Sequence, residues 1–313
     1  MAAVLGLDTS NYTTSAAWFD GETGDNAGKL LEVPAGSLGL RQSEALFQHV
    51  RRLPEILARL KQTGLPDSLS AVGASTRPRE VEGSYMPCFL AGESQARVLA
   101  ETLSLPFIPC SHQQGHIAAA AWSAGRMDLL DRPHLVWHLS GGTTELLYVV
   151  PDGVSVKGEI IGGTKDLSAG QLIDRTGKKL GLPFPSGKAV DALSLEAEKT
   201  DSFRVKTADS FFSFSGVENR MNGLFEAGES PANICRYVLA SVIGAVERAT
   251  LQALERFPGL PVLCAGGVAS NSLLRETMGK RCDAVFAQPR FSTDNAMGVA
   301  ILTWRALFQK DAP

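Results

Sequence analysis

The amino-acid sequence predicts an α/β protein built from two lobes. Its 313 residues are more than one hydrophobic core usually organises, and 44% of them are hydrophobic, as in ordinary globular proteins. Each half opens with three strand-like runs and then alternates helix-like with strand-like segments. We therefore expect two similar lobes, residues 1–130 and 131–313, that face each other across a ligand cleft, with the last helix packed back on the first lobe.

The first half is predicted to begin with an antiparallel meander. Short runs rich in β-branched and aromatic residues indicate its strands, and a stretch rich in Gly, Asp and Asn at 20–28 indicates a turn. Apolar residues three and four positions apart indicate helices. The expected strands are 3–9, 13–19, 29–33, 69–75 and 106–109, and the expected helices are 43–60, 90–103 and 111–124.

The same signals restart at residue 134 in the second half. Residues 201–221 are polar, rich in Phe and only weakly periodic, so we interpret them as a long functional loop. The expected strands are 134–139, 144–150, 154–161, 261–265 and 284–286, and the expected helices are 167–180, 188–197, 231–257, 270–279 and 293–308.

The bulk composition argues against several classes of protein. No apolar run has the length of a membrane span, and the first residues lack the basic start and long apolar core of a signal peptide. The five cysteines are scattered without a CxxC pair, which disfavours a disulfide framework or a thiolate zinc site and favours a reducing cytoplasm. A net charge of -3 argues against a large nucleic-acid footprint on this chain alone.

His112 and His116 are candidate metal ligands because of their spacing. Four positions apart near the start of a predicted helix, their imidazoles lie on one face and can share an ion. The alternative is capping and packing, since Ser111 is a good N-cap residue. Imidazole ligands leave zinc, iron, manganese and nickel open.

Three turns of small residues follow predicted strands, and each is a candidate anion-binding loop. Glycine lets backbone N–H groups approach a phosphate closely, and a helix that follows adds its N-terminal dipole. Plain tight turns are the alternative for each, but three in one chain favour a nucleotide site. None matches a P-loop or a dinucleotide-binding fingerprint. The turns are Asp8-Thr9-Ser10, Ser140-Gly141-Gly142-Thr143-Thr144 and Ala265-Gly266-Gly267-Val268.

Four carboxylates are further candidates. Asp166, Asp174 and Asp191 flank a predicted helix, and a carboxylate in a nucleotide site commonly accepts ribose hydroxyls. Ordinary solvation on a helix surface is the alternative for each of them. Asp294 stands at the predicted start of the last helix, where the helix dipole alone would favour an acid.

Eight short motifs follow one another along the chain: Gly6-Leu-Asp-Thr-Ser10, His112-Gln-Gln-Gly-His116, Ser140-Gly-Gly142, Ala169-Gly-Gln-Leu-Ile-Asp174, Leu180-Gly-Leu-Pro-Phe-Pro-Ser-Gly187, Ser213-Phe-Ser-Gly216, Ala265-Gly-Gly-Val-Ala-Ser-Asn271 and Ser292-Thr-Asp-Asn295. In this order and spacing they resemble the universal threonylcarbamoyl transferase family of tRNA modification, formerly labelled O-sialoglycoprotein endopeptidase. The resemblance covers nearly the whole chain. No convincing Ser/His/Asp or Cys/His set supports the peptidase label.

The resemblance implies an actin/Hsp70-like (ASKHA) fold with two ribonuclease-H-like lobes. It implies transfer of a threonylcarbamoyl group from its adenylate to the exocyclic amine of the anticodon-adjacent adenosine of tRNA. It also implies one divalent metal ion on His112, His116 and Asp294, with iron, zinc and manganese not distinguished, and an adenylate or ATP-type nucleotide. The residues expected to bind substrate or nucleotide are His138, Leu139, Ser140, Gly141, Gly142, Asp174, Gly187, Asp191, Gly266, Gly267 and Asn271.

The resemblance also implies partners. They are tRNA and the proteins of the threonylcarbamoyl-transfer complex, which in bacteria include a related inactive paralogue and a small ATPase. A homodimer or a heterodimer with a paralogue is compatible with it, and a membrane is not expected.

Several positions depart from the family pattern and identify a divergent paralogue. The departures remove acids or change polar groups while the three metal-ligand positions remain. They are Tyr12-Thr13 for an acidic pair, Arg77-Pro-Arg-Glu80 for Gly-Pro-Gly, Gln114 for Glu inside HxEGH, Thr143 for His or Asn, Leu167 for Asp, and Gln171 for Glu.

Three functions therefore compete at the level of sequence. The first is the threonylcarbamoyl transferase, acting on tRNA or on another acceptor. The second is a non-catalytic nucleotide-binding paralogue that acts as a scaffold. The third is a small-molecule kinase of the same fold, for which Asp8 is the candidate catalytic acid.

Overall fold

The computed structural model describes residues 2–10, 12–33 and 40–309. The chain divides into two compact units, which are treated separately below. The first unit takes in residues 1–132, 150–158 and 294–313, and the second takes in residues 133–149 and 159–293.

The first unit contains a five-stranded sheet of order β3-β2-β1-β4-β5. Strands β1 to β3 are antiparallel neighbours, which confirms the predicted meander, and β4 and β5 run parallel to β1. Alternating helices supply the crossovers that parallel strands require. The elements are β1 (Ala3–Asp8), β2 (Thr13–Phe19), β3 (Gly24–Leu30), α1 (Gln42–Gln62), β4 (Leu69–Arg77), α2 (Phe89–Leu103), β5 (Phe107–Ser111) and α3 (His112–Ser123).

The second unit is built on a sheet of order β11-β10-β6-β7-β8-β9. Strand β10 pairs parallel with β6 on one side, and β7 pairs antiparallel with β6 on the other, as β4 and β2 do around β1. The repeated order confirms the duplicated α/β pattern. The elements of this sheet and its helices, of which the parts of β7 and β8 within 150–158 belong to the first unit, are β6 (His134–Leu139), β7 (Thr144–Asp152), β8 (Ser155–Thr164), α4 (Ala169–Lys179), α5 (Gly187–Ser194), β9 (Phe211–Phe212), α6 (Ser215–Glu226), α7 (Pro231–Arg256), β10 (Val262–Ala265), α8 (Ser272–Cys282) and β11 (Ala284–Phe286).

The last helix, α9 (Met297–Phe308), belongs to the first unit and packs on β1. Its start was predicted at residue 293 and lies four residues later. The amide of Ala296 donates to Asn26 Oδ1 (2.9 Å) and the amide of Met297 to Asn295 Oδ1 (3.0 Å). Asp294 therefore stands in the connection before the helix, not in its first turn.

Two other predicted elements were wrong in part. The stretch 20–28 was expected to be a turn, but β3 begins at Gly24; it is an edge strand with one buried residue, Ala27, so it lacks an apolar pattern. The expected loop at 201–221 contains β9 and the start of α6. Helix α6 buries only Val217 and Met221, and its first amides donate to Asp166, far away in sequence, so no local signal marks it.

Each unit has its own hydrophobic core. The core of the second unit surrounds Trp137, whose indole N–H donates to Thr250 Oγ1 at 2.8 Å so that no polar atom of the ring is buried without a partner. The core of the first unit lies between its sheet and helices α1 and α2. None of the helices within the described ranges has the length and apolar character needed to cross a membrane.

Candidate functional site

The first candidate site begins at the amino end of α3. Ser111 caps this helix: its hydroxyl accepts from Gln114 N (3.3 Å), and its own amide donates to Gln114 Oε1 (2.8 Å). The cap fixes His112 as the first helical residue, one turn before His116. The two rings meet edge-on with centroids 4.3 Å apart. The predicted i, i+4 pair is thus assembled on one helix face.

Asp294 completes a three-residue cluster with the histidines. Its Oδ1 lies 3.2 Å from His116 Nε2 and 3.6 Å from His112 Nε2. One ligand atom from each of the three side chains lies within 4.8 Å of the others, and all three side chains are half-buried. The structure therefore brings together the three residues predicted as metal ligands.

Close helix packing explains how Asp294 reaches the histidines from the other end of the chain. Helices α3 and α9 cross at Gly115 and Gly298, where neither helix has a side chain to hold them apart. Asp294 precedes α9 by three residues and so lies beside the first turn of α3.

Asp8, at the end of β1, orients the first histidine. Its Oδ2 lies 2.8 Å from His112 Nδ1, while its Oδ1 accepts from the Ser75 hydroxyl and from Ser10 N (3.2 Å). The Asp8 side chain is 1% exposed. A carboxylate on Nδ1 fixes that nitrogen as the donor and directs Nε2 toward a metal, an arrangement found around many metal-bound histidines.

The electrostatics of the cluster favour a cation. Burial lowers the pKa of His112, but the Asp8 charge and the hydrogen bonds that the ring donates to Asp294 and Asp8 outweigh it and raise that pKa well above its usual value. Burial raises the pKa of Asp294, yet hydrogen bonds from His112 and His116 hold it well below the usual range. Two carboxylates thus share one site with two imidazoles, and a divalent ion fits this donor set.

The second candidate site is a cavity of about 440 Å³ in the second unit. Six of the residues predicted to bind nucleotide line it: Gly141, Asp174, Gly187, Asp191, Gly267 and Asn271. The other lining residues are Gly170, Ile173, Pro185, Lys188, Val268 and Ser270. A Cβ atom added at Gly141, Gly187 or Gly267 would meet no atom within 4 Å, so the backbone at these glycines is open to a ligand.

Helix α4 holds the first glycine turn in place. The Ser168 hydroxyl caps α4 by accepting from Gln171 N (3.1 Å) and donates to the carbonyl of Gly141 (2.8 Å). Gly170 packs directly on Gly141, where a Cβ atom would overlap the Gly141 backbone. The glycine of the Ala169-Gly-Gln motif is therefore required by packing.

The two carboxylates of the cavity are unequally engaged. Asp191 accepts from Asn271 Nδ2 (2.8 Å), Ser272 Oγ (2.9 Å) and Ser272 N (2.9 Å), and so ties α5 to the start of α8. Asp174 accepts from Ser186 N through Oδ1 at 2.8 Å. Within the described part of the chain no group donates to Asp174 Oδ2. Asp174 is therefore better placed than Asp191 to accept a hydrogen bond from a ligand hydroxyl.

Five predicted ligand residues do not line this cavity. Leu139 is fully buried in the core, and His138 lies in β6 opposite Glu145. The Ser140 hydroxyl accepts from the amides of Gly142 (3.3 Å) and Thr143 (3.0 Å), so it closes its own turn. Gly266 has φ +99, and a side chain there would overlap the Leu139 carbonyl.

The glycine turn after β10 also differs from expectation. Gly267 begins a short 3-10 turn, Gly267–Ser270, that lies between β10 and the α-helix predicted to begin at residue 270. The following α-helix starts at Ser272, and Asn271 Oδ1 caps it by accepting from Leu274 N (2.9 Å). The Leu274 amide at the amino end of α8 is therefore already satisfied by a side chain.

Comparison with known proteins shows to which family the chain belongs. The family model described as tRNA N6-adenosine threonylcarbamoyltransferase matches residues 39–301. The protein of that name from Thermus thermophilus is 32% identical over 96% of this chain and 92% of its own length. The chain belongs to this family.

A further relative supports the family assignment, and two solved structures show the fold. The protein of that name from Enterococcus faecalis is 37% identical over 72% of this chain, which spans 64% of that relative's length. Full-length HypF aligns with a TM-score of 0.60 at 13% identity, over 98% of this chain and 56% of that one. The Acidaminococcus fermentans (R)-2-hydroxyglutaryl-CoA dehydratase component A aligns with a TM-score of 0.57 at 14% identity, over 98% and 99%. The fold is the actin/Hsp70-like ASKHA fold.

Two departures from the threonylcarbamoyltransferase pattern have structural explanations. Gln114 belongs to the cap of α3, and its Nε2 donates to the carbonyl of Val156 at 2.9 Å, which a carboxylate could not do. Gln171 belongs to the cap of α4, where its Oε1 accepts from Ser168 N (3.1 Å). Both side chains cap a helix, and neither lines the cavity or belongs to the cluster of His112, His116 and Asp294.

The remaining departures from the family pattern lie outside the two helix caps. Thr143 closes the Ser140 turn, Leu167 is a core residue, and Thr13 is a buried residue of β2. Tyr12 is 37% exposed, and nothing in the structure explains it. In the 77–80 turn, Arg77 Nη2 lies within 2.6 Å of both Glu80 carboxylate oxygens.

Three residues are the most informative among those of the two candidate sites that sequence reasoning did not predict. Ser75 holds Asp8, Ser168 holds Gly141, and Lys188 lines the cavity. Ser168 could have been found, since Ser-x-x-Gln before an apolar helix is a capping-box signature. Ser75 and Lys188 depend on tertiary proximity, for which the sequence gives no local signal.

Proposed function

We propose that this chain transfers a threonylcarbamoyl group from threonylcarbamoyl-adenylate to the exocyclic amine of the anticodon-adjacent adenosine of tRNA. Family membership supports the reaction class. The observation that argues for activity in this divergent chain is the cluster of His112, His116 and Asp294, oriented by buried Asp8.

In this reaction the adenosine amine attacks the carbamoyl carbonyl carbon. The bond from that carbon to the phosphate oxygen breaks, AMP leaves, and the amine gives up one proton. No side-chain nucleophile is required, in keeping with the lack of a convincing catalytic Ser or Cys set in the sequence. All five cysteines are buried, and burial raises the pKa of Cys88 and Cys235 to about 11, so neither is a reactive thiolate.

The metal would be held by Nε2 of His112, Nε2 of His116 and a carboxylate oxygen of Asp294. A divalent ion bound there supplies Lewis-acid polarisation of a ligand oxygen. Asp8 holds the His112 ring with Nε2 directed into the cluster. This orientation limits the ring motion that would otherwise weaken the site.

The cavity of the second unit would bind the adenylate. Asp174 Oδ2 is the acceptor for a ribose hydroxyl. Gly141 and Gly267 let a ligand approach the backbone closely. Ser168 and Gly170 keep the Gly141 turn in a fixed position before the ligand arrives, which reduces the ordering cost of binding.

The surroundings of Asp8 argue against the kinase hypothesis. A kinase of this fold would use Asp8 near a phosphate or an attacking hydroxyl. Asp8 is 1% exposed and is engaged by His112, Ser75 and Ser10. We therefore favour the transferase.

The test is the product itself. Purified protein is incubated with synthetic threonylcarbamoyl-adenylate and unmodified tRNA, with and without the partner proteins that the family uses, and the nucleoside is detected by mass spectrometry. We expect product that is lost after metal removal and in His116→Ala. Asp67→Asn, an exposed acid of the first unit, is the matched control and should remain active.

Each other outcome has a distinct meaning. Tight adenylate binding without product, even with partners present, would identify a nucleotide-binding paralogue or a transferase with another acceptor. Product that survives both metal removal and His116→Ala would refute the metal assignment.

A further inference from the structure

Lys188 is the one Lys or Arg side chain among the residues that line the cavity. Around it the lining consists of four glycines, three apolar residues, two polar side chains and the carboxylates of Asp174 and Asp191. A nucleotide that entered this cavity would therefore meet a single positive side-chain charge within the described lining.

The position of Lys188 is unfavourable for the free protein. It is the second residue of α5, where the positive end of the helix dipole repels a cation. No other described residue forms an ion pair or hydrogen bond with it, although two acids line the same cavity. The positive charge of Lys188 therefore does not stabilise helix α5.

Its carboxylate neighbours are occupied to different degrees. Asp191 already accepts three hydrogen bonds from Asn271 and Ser272. Asp174 keeps one oxygen for a ligand. The cavity thus offers an acceptor for hydroxyl groups and, separately, an unpaired ammonium group for an anion. A ligand that satisfies both is a phosphorylated nucleoside.

We propose that Lys188 binds the phosphate of the nucleotide in this cavity and makes the site select nucleotides over nucleosides. This inference rests on the proposed adenylate site and adds a specificity-determining residue to it. A single ammonium–phosphate contact near the surface raises affinity by about tenfold, and salt weakens it.

The probes are AMP and adenosine, measured by titration calorimetry on the full chain. In the wild-type protein AMP should bind about tenfold more tightly than adenosine. Lys188→Met should remove most of this preference by weakening AMP alone, and Lys188→Arg should retain it. Lys178→Met, an exposed lysine on α4 that does not line the cavity, is the control and should bind both probes as the wild type does.

The outcomes separate the two proposals. Equal AMP affinity in the wild-type and Lys188→Met proteins overturns the role of Lys188 and leaves the nucleotide cavity in place. Loss of both AMP and adenosine in Lys188→Met, with Lys188→Arg no better, indicates a change of cavity shape and also overturns it. If the wild-type protein binds neither probe, the nucleotide assignment fails, and the inference fails with it.

Discussion

Gly298 of α9 lies directly against the carbonyl group of Gly115 of α3, so closely that a Cβ atom at position 298 would overlap that oxygen. Helix α3 presents His112 and His116, and the chain reaches α9 just after Asp294. The distance between the two helices therefore sets the distance from the carboxylate to the imidazoles. We therefore expect the contact between these two glycines to govern the geometry of the candidate metal centre.

Gly298→Ala should weaken the metal site. The added methyl group has no space, so α9 must move away from α3, and overpacking of this kind costs about 1–3 kcal/mol. The same shift moves Asp294 away from His116, where the present separation is 3.2 Å. We expect a lower melting temperature and a lower affinity for zinc or iron, measured by calorimetry and by metal titration.

Gly279→Ala is the matched control for this change. Gly279 also lies in a helix, α8, but a Cβ atom there meets nothing within 4 Å. Alanine should then stabilise the protein by up to about 1 kcal/mol through helix propensity. Equal metal affinity in the Gly298→Ala and wild-type proteins would show that the helix contact does not govern the site.

Local spacing was enough to predict part of the candidate metal centre. A histidine pair four residues apart faces one way on any helix, and Ser111 marks the helix start, so His112 and His116 could be paired from sequence. Asp294 is 178 residues from His116 and enters through the crossing of α3 and α9. Only the family resemblance could connect it to the histidines.

For the cavity, the sequence motifs predicted half of the lining residues but not the role of each residue. Residues of one predicted type turned out to have different roles, because a carboxylate or a glycine has the same local pattern whether it serves a ligand or the fold. The Asp191 carboxylate accepts hydrogen bonds at the start of α8. Gly266 has no room for a Cβ atom beside Leu139, whereas Gly267 lines the cavity. These distinctions arise from tertiary packing, which short motifs do not encode.

Asp8→Asn should reduce metal affinity without removing a metal ligand. The amide keeps the size of the side chain but no longer offers a charged acceptor to His112 Nδ1 (2.8 Å). Loss of such an orienting carboxylate typically weakens metal binding by roughly 10–100-fold. Ser75→Ala, one contact further out, should have the same effect to a smaller degree.

Metal titration with a competing chelator measures this series. Asp67→Asn controls for the loss of a charge on the same unit, because Asp67 is exposed and outside the site. Wild-type metal affinity in Asp8→Asn would mean that Asp8 is a structural acid with no influence on His112.

Gln114→Glu should destabilise the protein even though it restores the family residue. The buried carboxylate would lose the donation from Gln114 Nε2 to the Val156 carbonyl and would face that oxygen instead. Leaving such a buried group unpaired costs about 1–3 kcal/mol. We expect a lower midpoint of urea unfolding and no gain in transferase activity.

Gln171→Glu is the companion variant. Gln171 is exposed, and its side chain uses only its oxygen, as acceptor from Ser168 N, which glutamate can replace in the first turn of a helix. This variant should unfold within about 0.5 kcal/mol of the wild type. A stable and more active Gln114→Glu protein would contradict the structural account of this departure.

His49 should make the protein less stable in mild acid. This α1 side chain is fully buried, with Nδ1 2.8 Å from Thr14 Oγ1 and no partner for Nε2 within the described residues. Burial lowers its pKa from 6.5 to about 4, although Asp8 acts in the opposite direction. Above pH 6.5 the ring is neutral in both the folded and the unfolded chain, so folding is unaffected.

As the pH falls from 6.5 toward 4, the unfolded chain takes up the proton and the folded chain resists it. The free energy of unfolding then falls, by about 2 kcal/mol near pH 5. His49→Gln removes this titration, so its urea unfolding should change less than the wild type's between neutral pH and about pH 5. Thr14→Val removes the hydrogen bond but keeps the buried imidazole, and it should retain the full acid sensitivity. If His49→Gln and the wild type lose the same stability on acidification, His49 is not the group responsible.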